Sequence, residues 1–379
     1  MTIQNYRVYY GTVPNTFIGY LDNVQNIQIT VGRQKQLDQI KASTANISLR
    51  YPTGFATPIA ELVTGTYIAV YNITNDLYSN YPVWFGRITD VVASYGIPYQ
   101  SGVGPADYLE ISCEGNFAAL GRMEGNGYSM AAGDVSTQIA TASTQTGITI
   151  NAQPASITTP VAATTVSTTW ADWIARVCQS TNSRLWDGGT AAESTVVSPF
   201  IGYTAQVFFG DTNAPYEQNY SQINFDSYSD NYYTQVTVDP ESFSPSTVTK
   251  AGAAAPYRTY QTNTLNASTA QATDYANYLL ANYSDPKLGI SSVTCIAEAQ
   301  TSFRLDRAGY NNSLGSAPGC RTTVQFRGVV YYCVIEGVTM SASPAGATFT
   351  FYLSAEDLNA YLILNDNFFG KLDENRLAY

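Results

Sequence analysis

Apolar and polar residues alternate along several short segments in the first part of the chain. Apolar side chains recur at 27, 29 and 31 and again at 45, 47 and 49, a period of two that places them on one face of a strand. Similar segments follow at 67–71, 83–88 and 108–113, separated by Gly, Pro and Asn. This spacing predicts a small β-barrel or sandwich over residues 1–122. Its predicted core residues are Ile27, Ile29, Ile47, Leu49 and Ile88.

The apolar period then changes to that of an α-helix in two segments. Asp134 is a candidate N-cap for apolar residues at 135, 139 and 142, and Gly147 is a candidate end. Thr169 is a candidate N-cap for a second helix that ends near Asn182. The face of this second helix carries Trp170, Ile174, Val177 and Cys178. Both helices fall in an α+β middle domain that we predict over residues 123–265.

A third helix is predicted after Ser268, and Pro286 closes it. One face of this helix carries apolar residues at 272, 275, 276, 279 and 280. The stretch 190–265 before it is polar, rich in Tyr and strand-like, with 234–238 the clearest strand.

Strands resume after the third helix. Arg327-Gly328 between two apolar segments predicts a two-residue hairpin turn, and Pro344-Ala345-Gly346 predicts a second hairpin. The third predicted domain therefore spans residues 266–379: a helix, a second β-barrel region and a C-terminal tail. The predicted fold class is mainly β with an α+β middle.

Composition narrows the possible functions. The net charge of −11 argues against a protein that binds duplex DNA or anionic membranes, because such proteins need clustered cations. The sequence contains no histidine, which excludes Ser-His-Asp and Cys-His nucleophile systems and His-based metal sites. Five scattered cysteines without a Cys-x-x-Cys motif favour buried free thiols. No signal peptide and no apolar run long enough for a membrane-spanning segment is evident, so we expect a soluble protein.

Three segments of the sequence approach the pattern of a functional site without completing it. Gly127–Ala131 approaches the pattern of a nucleophile elbow, but no histidine exists to complete a triad. Glu110 and Glu114 are a conceivable pair for glycoside hydrolysis, although nothing distinguishes them from solvated carboxylates. Asp226 and Asp230 resemble a calcium loop but lack the glycine and the final glutamate of an EF-hand. We therefore predict that the protein is not an enzyme. We also predict that it has no catalytic, cofactor-binding or metal-binding residues and that it needs no cofactor.

Tyrosine is abundant, with 30 residues against 15 phenylalanines. Tyrosine suits large protein–protein surfaces, where the ring packs and the hydroxyl stays hydrated. It also suits half-buried strands of a β-rich protein. The composition leaves both interpretations open.

Five segments, in order along the chain, resemble the tail-tip hub proteins of long-tailed bacteriophages, also called minor tail or baseplate hub proteins. In the first segment, Gly32-Arg33, Leu37-Asp38 and Ala42–Ala45 follow the family pattern, although Ser43 replaces the usual glycine. The five segments are Ile29–Leu49, Phe85–Asp90, Glu114–Arg122, the third helix with its Asn282–Pro286 end, and the terminal Leu372–Tyr379.

This resemblance implies a structural virion protein at the tail tip, synthesised in the host bacterial cytoplasm. It implies two tail-tube-like β-barrel domains and a smaller helix-containing domain in each subunit, with three subunits around a DNA channel. The expected partners are two further copies of the chain, the distal tail protein, the tail tube and tape-measure proteins, and tail fibre or spike proteins. The genome would pass through without specific binding, and the tail from 362 to 379 would lie against a neighbouring domain or subunit.

Three alternatives to the hub remain open at this stage. A distal tail ring protein would have a related fold and six copies instead of three. A carbohydrate-binding adhesin at the tip would agree with the many aromatic residues. The third alternative is a tail-associated hydrolase, and the absence of histidine argues against it.

Overall fold

A computed structural model of the 379-residue chain provides the structure. It describes residues 3, 5–51, 60–73, 81–95, 107–152, 156–187, 194–199, 207–212, 217–227, 232–284, 289–297, 303 and 316–355. The predicted tail from 362 to 379 and Asp230 lie outside the described residues.

An antiparallel sheet with the order β3-β4-β7-β6-β5-β1-β2 forms the N-terminal part. The alternation seen in the sequence places one face of β3 and β4 in the core, as predicted. Ile27, Ile29, Ile47, Leu49 and Ile88 are each at most 1% exposed, which confirms the predicted core. The strands are β1 Tyr6–Gly11, β2 Gly19–Tyr20, β3 Val24–Gly32, β4 Thr44–Tyr51, β5 Tyr67–Asn72, β6 Tyr81–Ser94 and β7 Asp107–Glu114.

The two ends of this strand order approach each other at one corner. The backbone N–H of Ile3, just before β1, donates to the carbonyl of Val24 at the start of β3, at 3.3 Å. The sheet therefore curls back towards itself. A single bond is not a strand ladder, so the described residues show a curled sheet and not a barrel closed by paired strands.

The C-terminal strands are built around one long strand, β23. One edge of β23 pairs with β24, and the other edge pairs first with β22 and then with β3. The two predicted hairpins are confirmed: Arg327 and Gly328 have positive φ angles of 50° and 80°, and Ser343 pairs with Gly346. The strands are β15 Val207–Gly210, β16 Glu217–Asn219, β17 Gln222–Asp226, β21 Gly289–Ala297, β22 Arg321–Phe326, β23 Val329–Ser343 and β24 Gly346–Ala355.

Pairing between β3 and β23 joins the N-terminal and C-terminal strands in one mixed sheet, which has fourteen strands among the described residues. One hydrophobic core also contains residues from both parts, from Val8 and Ile27 to Phe349 and Phe351. The prediction of a mainly β fold is confirmed.

The middle of the chain forms a second hydrophobic core around two capped helices. The Asp134 carboxylate accepts a bond from the Thr137 N–H at 2.6 Å, and Gly147 ends that helix with a φ of 69°. The Thr169 hydroxyl accepts a bond from the Asp172 N–H at 3.2 Å, so both predicted N-caps are confirmed. The elements are α1 Asn116–Leu120, β8 Tyr128–Met130, β9 Gly133–Asp134, α2 Val135–Thr146, β10 Thr149–Ala152, β11 Pro160–Val161, β12 Thr164–Val166, α3 Trp170–Ser180, β13 Ser183–Asp187 and β14 Ser194–Pro199.

A third core lies in residues 232–284, which we call the α4 unit. It contains β18 Gln235–Pro240, β19 Ser246–Thr249, β20 Thr259–Thr264 and α4 Thr269–Tyr283, with Ser268 as N-cap. Ala272, Ala276, Leu279 and Leu280 are buried as predicted, and Tyr275 is partly buried against them. The helix packs on the small sheet that precedes it, so this core includes residues on both sides of the predicted boundary at 265/266.

All five cysteines are buried, as predicted, and none forms a disulfide. Burial raises the pKa of Cys178 and Cys295 to about 12, so these thiols stay protonated near neutral pH. In the part of the chain that the structure describes, no helix has both the length and the apolar character needed to cross a bilayer.

Candidate site: a buried junction at the β3–β4 loop

The loop between β3 and β4, residues 33–43, is the candidate functional site. Antiparallel neighbours in a sheet are usually joined by about two to five residues. This connection is longer and leaves the sheet to contact the middle core, the α4 unit and the C-terminal strands. It also contains most of the first segment that resembles the phage hub family.

The loop starts beside a buried carboxylate on β23. Arg33 donates from Nε to Oε2 of Glu336 at 3.0 Å. Gly32 precedes it with a φ of +78°, and a β-carbon there would collide with the backbone of Glu336 and Gly337. Glycine is therefore needed at 32 for both the backbone angle and the close approach of the two strands.

Glu336 has three polar partners from three elements. Besides Arg33, the Arg184 Nη2 atom of β13 and the Ser354 hydroxyl of β24 both donate to Oε1 at 2.6 Å. The side chains of Glu336 and Arg184 are 0% and 2% exposed. Burial alone would raise the pKa of Glu336, but Arg184 and then Arg33 outweigh it and lower that pKa to about 2. The carboxylate is therefore ionised at neutral pH.

Arg184 extends the junction to the turn after α3. Its Nη1 atom donates to the backbone carbonyl of Asn182 at 3.2 Å and to the Asn182 side-chain oxygen at 3.0 Å. Asn182 has a φ of +50°, a left-handed conformation that asparagine tolerates better than most residues. Burial lowers the pKa of Arg184, but the Glu336 carboxylate raises it above its ordinary value overall.

Gln36 connects the loop to α4. Its Nε2 atom donates to the Tyr278 hydroxyl at 2.8 Å and to the Asn182 side-chain oxygen at 3.4 Å. Its Oε1 atom accepts from the Tyr283 hydroxyl at 2.7 Å. Gln36 is 7% exposed, so both ends of its amide are used in a largely dry environment. Leu37, the next residue, packs against the α4 core.

The loop ends on a second buried carboxylate, that of Asp187. Its Oδ2 atom accepts from the backbone N–H and the hydroxyl of Ser43 at 2.9 and 3.1 Å, and its Oδ1 atom accepts from the Phe117 N–H at 2.7 Å. The Ser43 hydroxyl also accepts from Nε1 of Trp84 at 2.9 Å. Ser43 stands where the hub family usually has glycine, and its hydroxyl gives this chain two bonds that glycine would lack.

The loop 33–43 and its partners Glu336, Arg184, Asn182 and Asp187, together called the junction, hold separate segments of the chain together. Arg33, Gln36 and Ser43 contact the C-terminal sheet, the α4 unit and the middle core respectively, all from one loop. The guanidinium groups of Arg33 and Arg184 bond to the buried carboxylate of Glu336. Such an arrangement is suited to fix relative positions, because removing any one member leaves buried polar groups without their partners.

The residues considered for catalysis are not brought together. Glu110 and Glu114 both point outward from β7, four residues apart, which separates their Cα atoms by about 13 Å. Glu114 forms an ion pair with Arg122, Ser129 lies on β8, and Asp226 lies 3.4 Å from Lys35 Nζ at the end of β17. Among the described residues, no group of three or more Cys, Asp or Glu is placed to hold a metal ion.

A cavity of about 360 Å³ lies next to the ion pair of Glu114 and Arg122, between β6, β7 and α1. Arg87, Glu114 and Arg122 line it, and the Arg87 guanidinium lies 4.6 Å from the ring centre of Tyr67. The outer face of the neighbouring strands carries packed rings, with Tyr9 5.4 Å from both Phe17 and Tyr71. These tyrosines therefore pack on half-buried strand faces, which is one of the two roles that the composition left open.

The segment that resembles the hub family includes this loop, but nothing in the sequence indicated that it is a junction, and sequence reasoning missed Glu336, Arg184 and Gln36. A signal for Glu336 exists: it is the one charged residue in the apolar stretch Val329–Met340, and a glycine follows it. A charge inside an apolar strand indicates a buried partner. No comparable signal marks Gln36, because its partners lie far away in the sequence.

No protein-family model and no curated protein sequence matches this chain. Solved structures do match. The 43 kDa tail protein of prophage MuSo2 from Shewanella oneidensis aligns with a TM-score of 0.59 at 14% identity, covering 93% of this chain and 98% of that protein. A tail protein from Neisseria meningitidis MC58 aligns with a TM-score of 0.61 at 12% identity, covering 93% and 97%.

A third match comes from a secretion apparatus. The E. coli c3393 protein, a component of the type VI secretion system described as similar to the T4 phage tail proteins gp27 and gp5, aligns with a TM-score of 0.51 at 11% identity. The alignment covers 88% of this chain and 74% of that protein. At these identities the comparisons establish the fold alone. The resemblance to phage tail-tip proteins is confirmed at that level, and this chain has the fold of phage tail proteins.

Proposed function

We propose that this protein is a structural hub of a phage tail tip, which joins the tail tube and distal ring to the tip. The fold shared with two phage tail proteins over nearly the whole chain carries the proposal. The junction at the β3–β4 loop supports it, because the side chains of one loop bond to or pack against all three hydrophobic cores and so connect them. A connector that transmits force needs that property more than it needs a reactive group.

We further propose that each subunit supplies two tail-tube-like β-domains, one from 1–122 and one from the strands after the helix in 266–379, with 123–265 as the middle domain. Three subunits would then present six such domains around a channel. The curled N-terminal sheet and its pairing with β23 support this arrangement. A closed trimer of this kind should bury an obligate interface of roughly 2,000 Å² or more.

The acidic character of the chain suits a DNA channel. A net charge of −11 with only 18 Lys and Arg would repel phosphates, so the genome could slide without binding. The proposed partners are two further copies of the chain, the distal tail protein, the tail tube and tape-measure proteins, and tail fibres or spikes. The proposed location is the virion tail tip, and the proposed role is connective and not enzymatic.

Antibody labelling of purified particles tests the proposal. Gold-labelled antibodies against this chain should mark the end of the tail that is distal to the capsid, in electron micrographs of intact particles. Particles from a deletion strain, complemented or not with the gene, provide the control. Labelling along the tube or on the capsid, or no labelling of particles that contain every other tail protein, would contradict the proposed location.

A further inference from the structure

The α4 unit meets the middle core through one buried apolar side chain, that of Leu265, and through a set of hydrogen bonds around it. Gln179 on α3 donates to the Thr262 hydroxyl at 2.6 Å, and the Ser180 hydroxyl accepts from the Leu265 N–H at 2.6 Å. The Ser180 carbonyl accepts from the Asn266 side chain at 2.9 Å. Polar interfaces between parts of one chain are typical of parts that can move relative to each other.

An ion pair and a further hydrogen bond lie at the rim of the same interface. Arg176 on α3 contacts Glu241 at 2.7 Å, and the Thr164 hydroxyl donates to the same carboxylate at 3.0 Å. Arg176 and Glu241 are about one third or more exposed, so water competes with this pair. Apart from Leu265, which is buried in the middle core, the buried apolar side chains of the α4 unit pack in its own core, as Val236, Val238 and Leu279 show.

Gln36 connects this polar interface to the buried charges. Tyr283 and Tyr278 of α4 bond to its amide, the amide bonds to Asn182, and Asn182 accepts from Arg184. Arg184 in turn holds Glu336, which is bonded to Arg33 and Ser354. A continuous series of hydrogen bonds therefore runs from α4 through the β3–β4 loop to β23 and β24.

We propose that this series is a latch: the α4 unit docks as a preformed body, can undock without unfolding, and is held in its docked position by the Gln36 amide. The unit has its own core and capped helix, so its internal contacts do not need the interface. Undocking breaks the bonds of Gln36 but leaves β18 paired with β19 and β20. Gln36 is thus a positioning residue.

Hydrogen exchange measured by mass spectrometry on the purified full-length chain tests the latch. In Gln36→Leu, amides at the interface, including those of Ala162 and Leu265, should exchange about tenfold faster or more, as expected when buried partners are left unsatisfied. Amides inside α4 and β18 should keep their wild-type rates. This pattern distinguishes undocking of a folded unit from a general loss of stability.

Two further variants complete the design. Gln39→Leu makes the same substitution at an exposed position of the same loop and should leave every peptide at its wild-type rate. Tyr283→Phe removes one hydroxyl that donates to Gln36 and should give the same pattern with a smaller change. This variant decides the question if Gln36→Leu does not fold.

Two results would overturn the latch. One is hydrogen exchange that becomes faster by the same factor for the amides of α4, of β18 and of the interface. This result would mean that the α4 unit unfolds when it undocks. The other is an unchanged interface in both Gln36→Leu and Tyr283→Phe, which would mean that Gln36 does not hold it.

Discussion

The contribution of Glu336 to the stability of the fold depends on the residues around its carboxylate. Its carboxylate is fully buried and bonds to Arg33, Arg184 and Ser354. Buried ion pairs often add little net stability compared with an apolar alternative, because both charges lose their hydration. Removing one partner is different, since the other charge then stays buried without compensation.

Glu336→Gln should therefore be strongly destabilising. The substitution keeps the size of the side chain but deprives the buried Arg184 guanidinium of its negative partner, at a cost of about 3–5 kcal/mol. Urea unfolding followed by tryptophan fluorescence measures the change. Glu110→Gln on the exposed face of β7 is the matched control and should shift the free energy of unfolding by less than about 0.5 kcal/mol. Equal effects of the two variants would contradict the proposed importance of the junction.

The same carboxylate predicts how stability depends on pH. The pKa of Glu336 is about 2 in the folded chain, below the ordinary value of 4.5 that applies when the chain is unfolded. Its contribution is therefore complete above pH 4.5 and is lost as the pH falls from 4.5 towards 2. The free energy of unfolding should fall across this range more steeply in wild type than in Glu336→Gln. Parallel curves for the two proteins would show that another group is responsible.

Gly115 provides a steric test of the other end of the loop. A β-carbon at this position would collide with the Asp187 carboxylate and the Ser43 hydroxyl, although the φ of −75° suits any residue. Gly115→Ala should cost about 1–3 kcal/mol, because the overpacked site must shift. Gly133→Ala is the control, since its nearest atoms leave ordinary contact distances. A neutral result for Gly115→Ala in thermal unfolding would show that the Asp187 site adapts easily.

At the level of elements, the helices could be predicted closely because their signals are local. Asp134, Thr169 and Ser268 cap the three longer helices where the sequence placed them. The partner of α4 could not be predicted in this way. Its apolar face fits any apolar surface, and the small sheet that it contacts lies in the polar, Tyr-rich stretch 190–265.

Leu279→Ala tests the packing of α4. Leu279 is 1% exposed in the core of the α4 unit, so truncation should cost about 2–5 kcal/mol. Asn277→Ala lies on the exposed face of the same helix and should change stability little. Both are measured by urea unfolding followed by circular dichroism. A change within error for Leu279→Ala would mean that the helix does not depend on this core.

At the level of the whole molecule, the sequence predicted a β-rich chain with a middle that contains helices, but not the contacts between its parts. Strand alternation located β3 and β4, while the pairing of β3 with β23 joins residues about 300 positions apart. The loop at 33–43 was recognised from its resemblance to a family. Its role in joining three cores depends on contacts such as that between Gln36 and Tyr283, for which a single sequence contains no local signal.

A cryo-electron microscopy reconstruction of the particle's tail tip tests the central claim most directly. We expect density with this fold in three copies around the channel, where the tube meets the tip, with each copy presenting its N-terminal and C-terminal strands to its neighbours. Six copies would identify a ring protein instead of a hub. Absence of this fold from the tail would contradict the account as a whole.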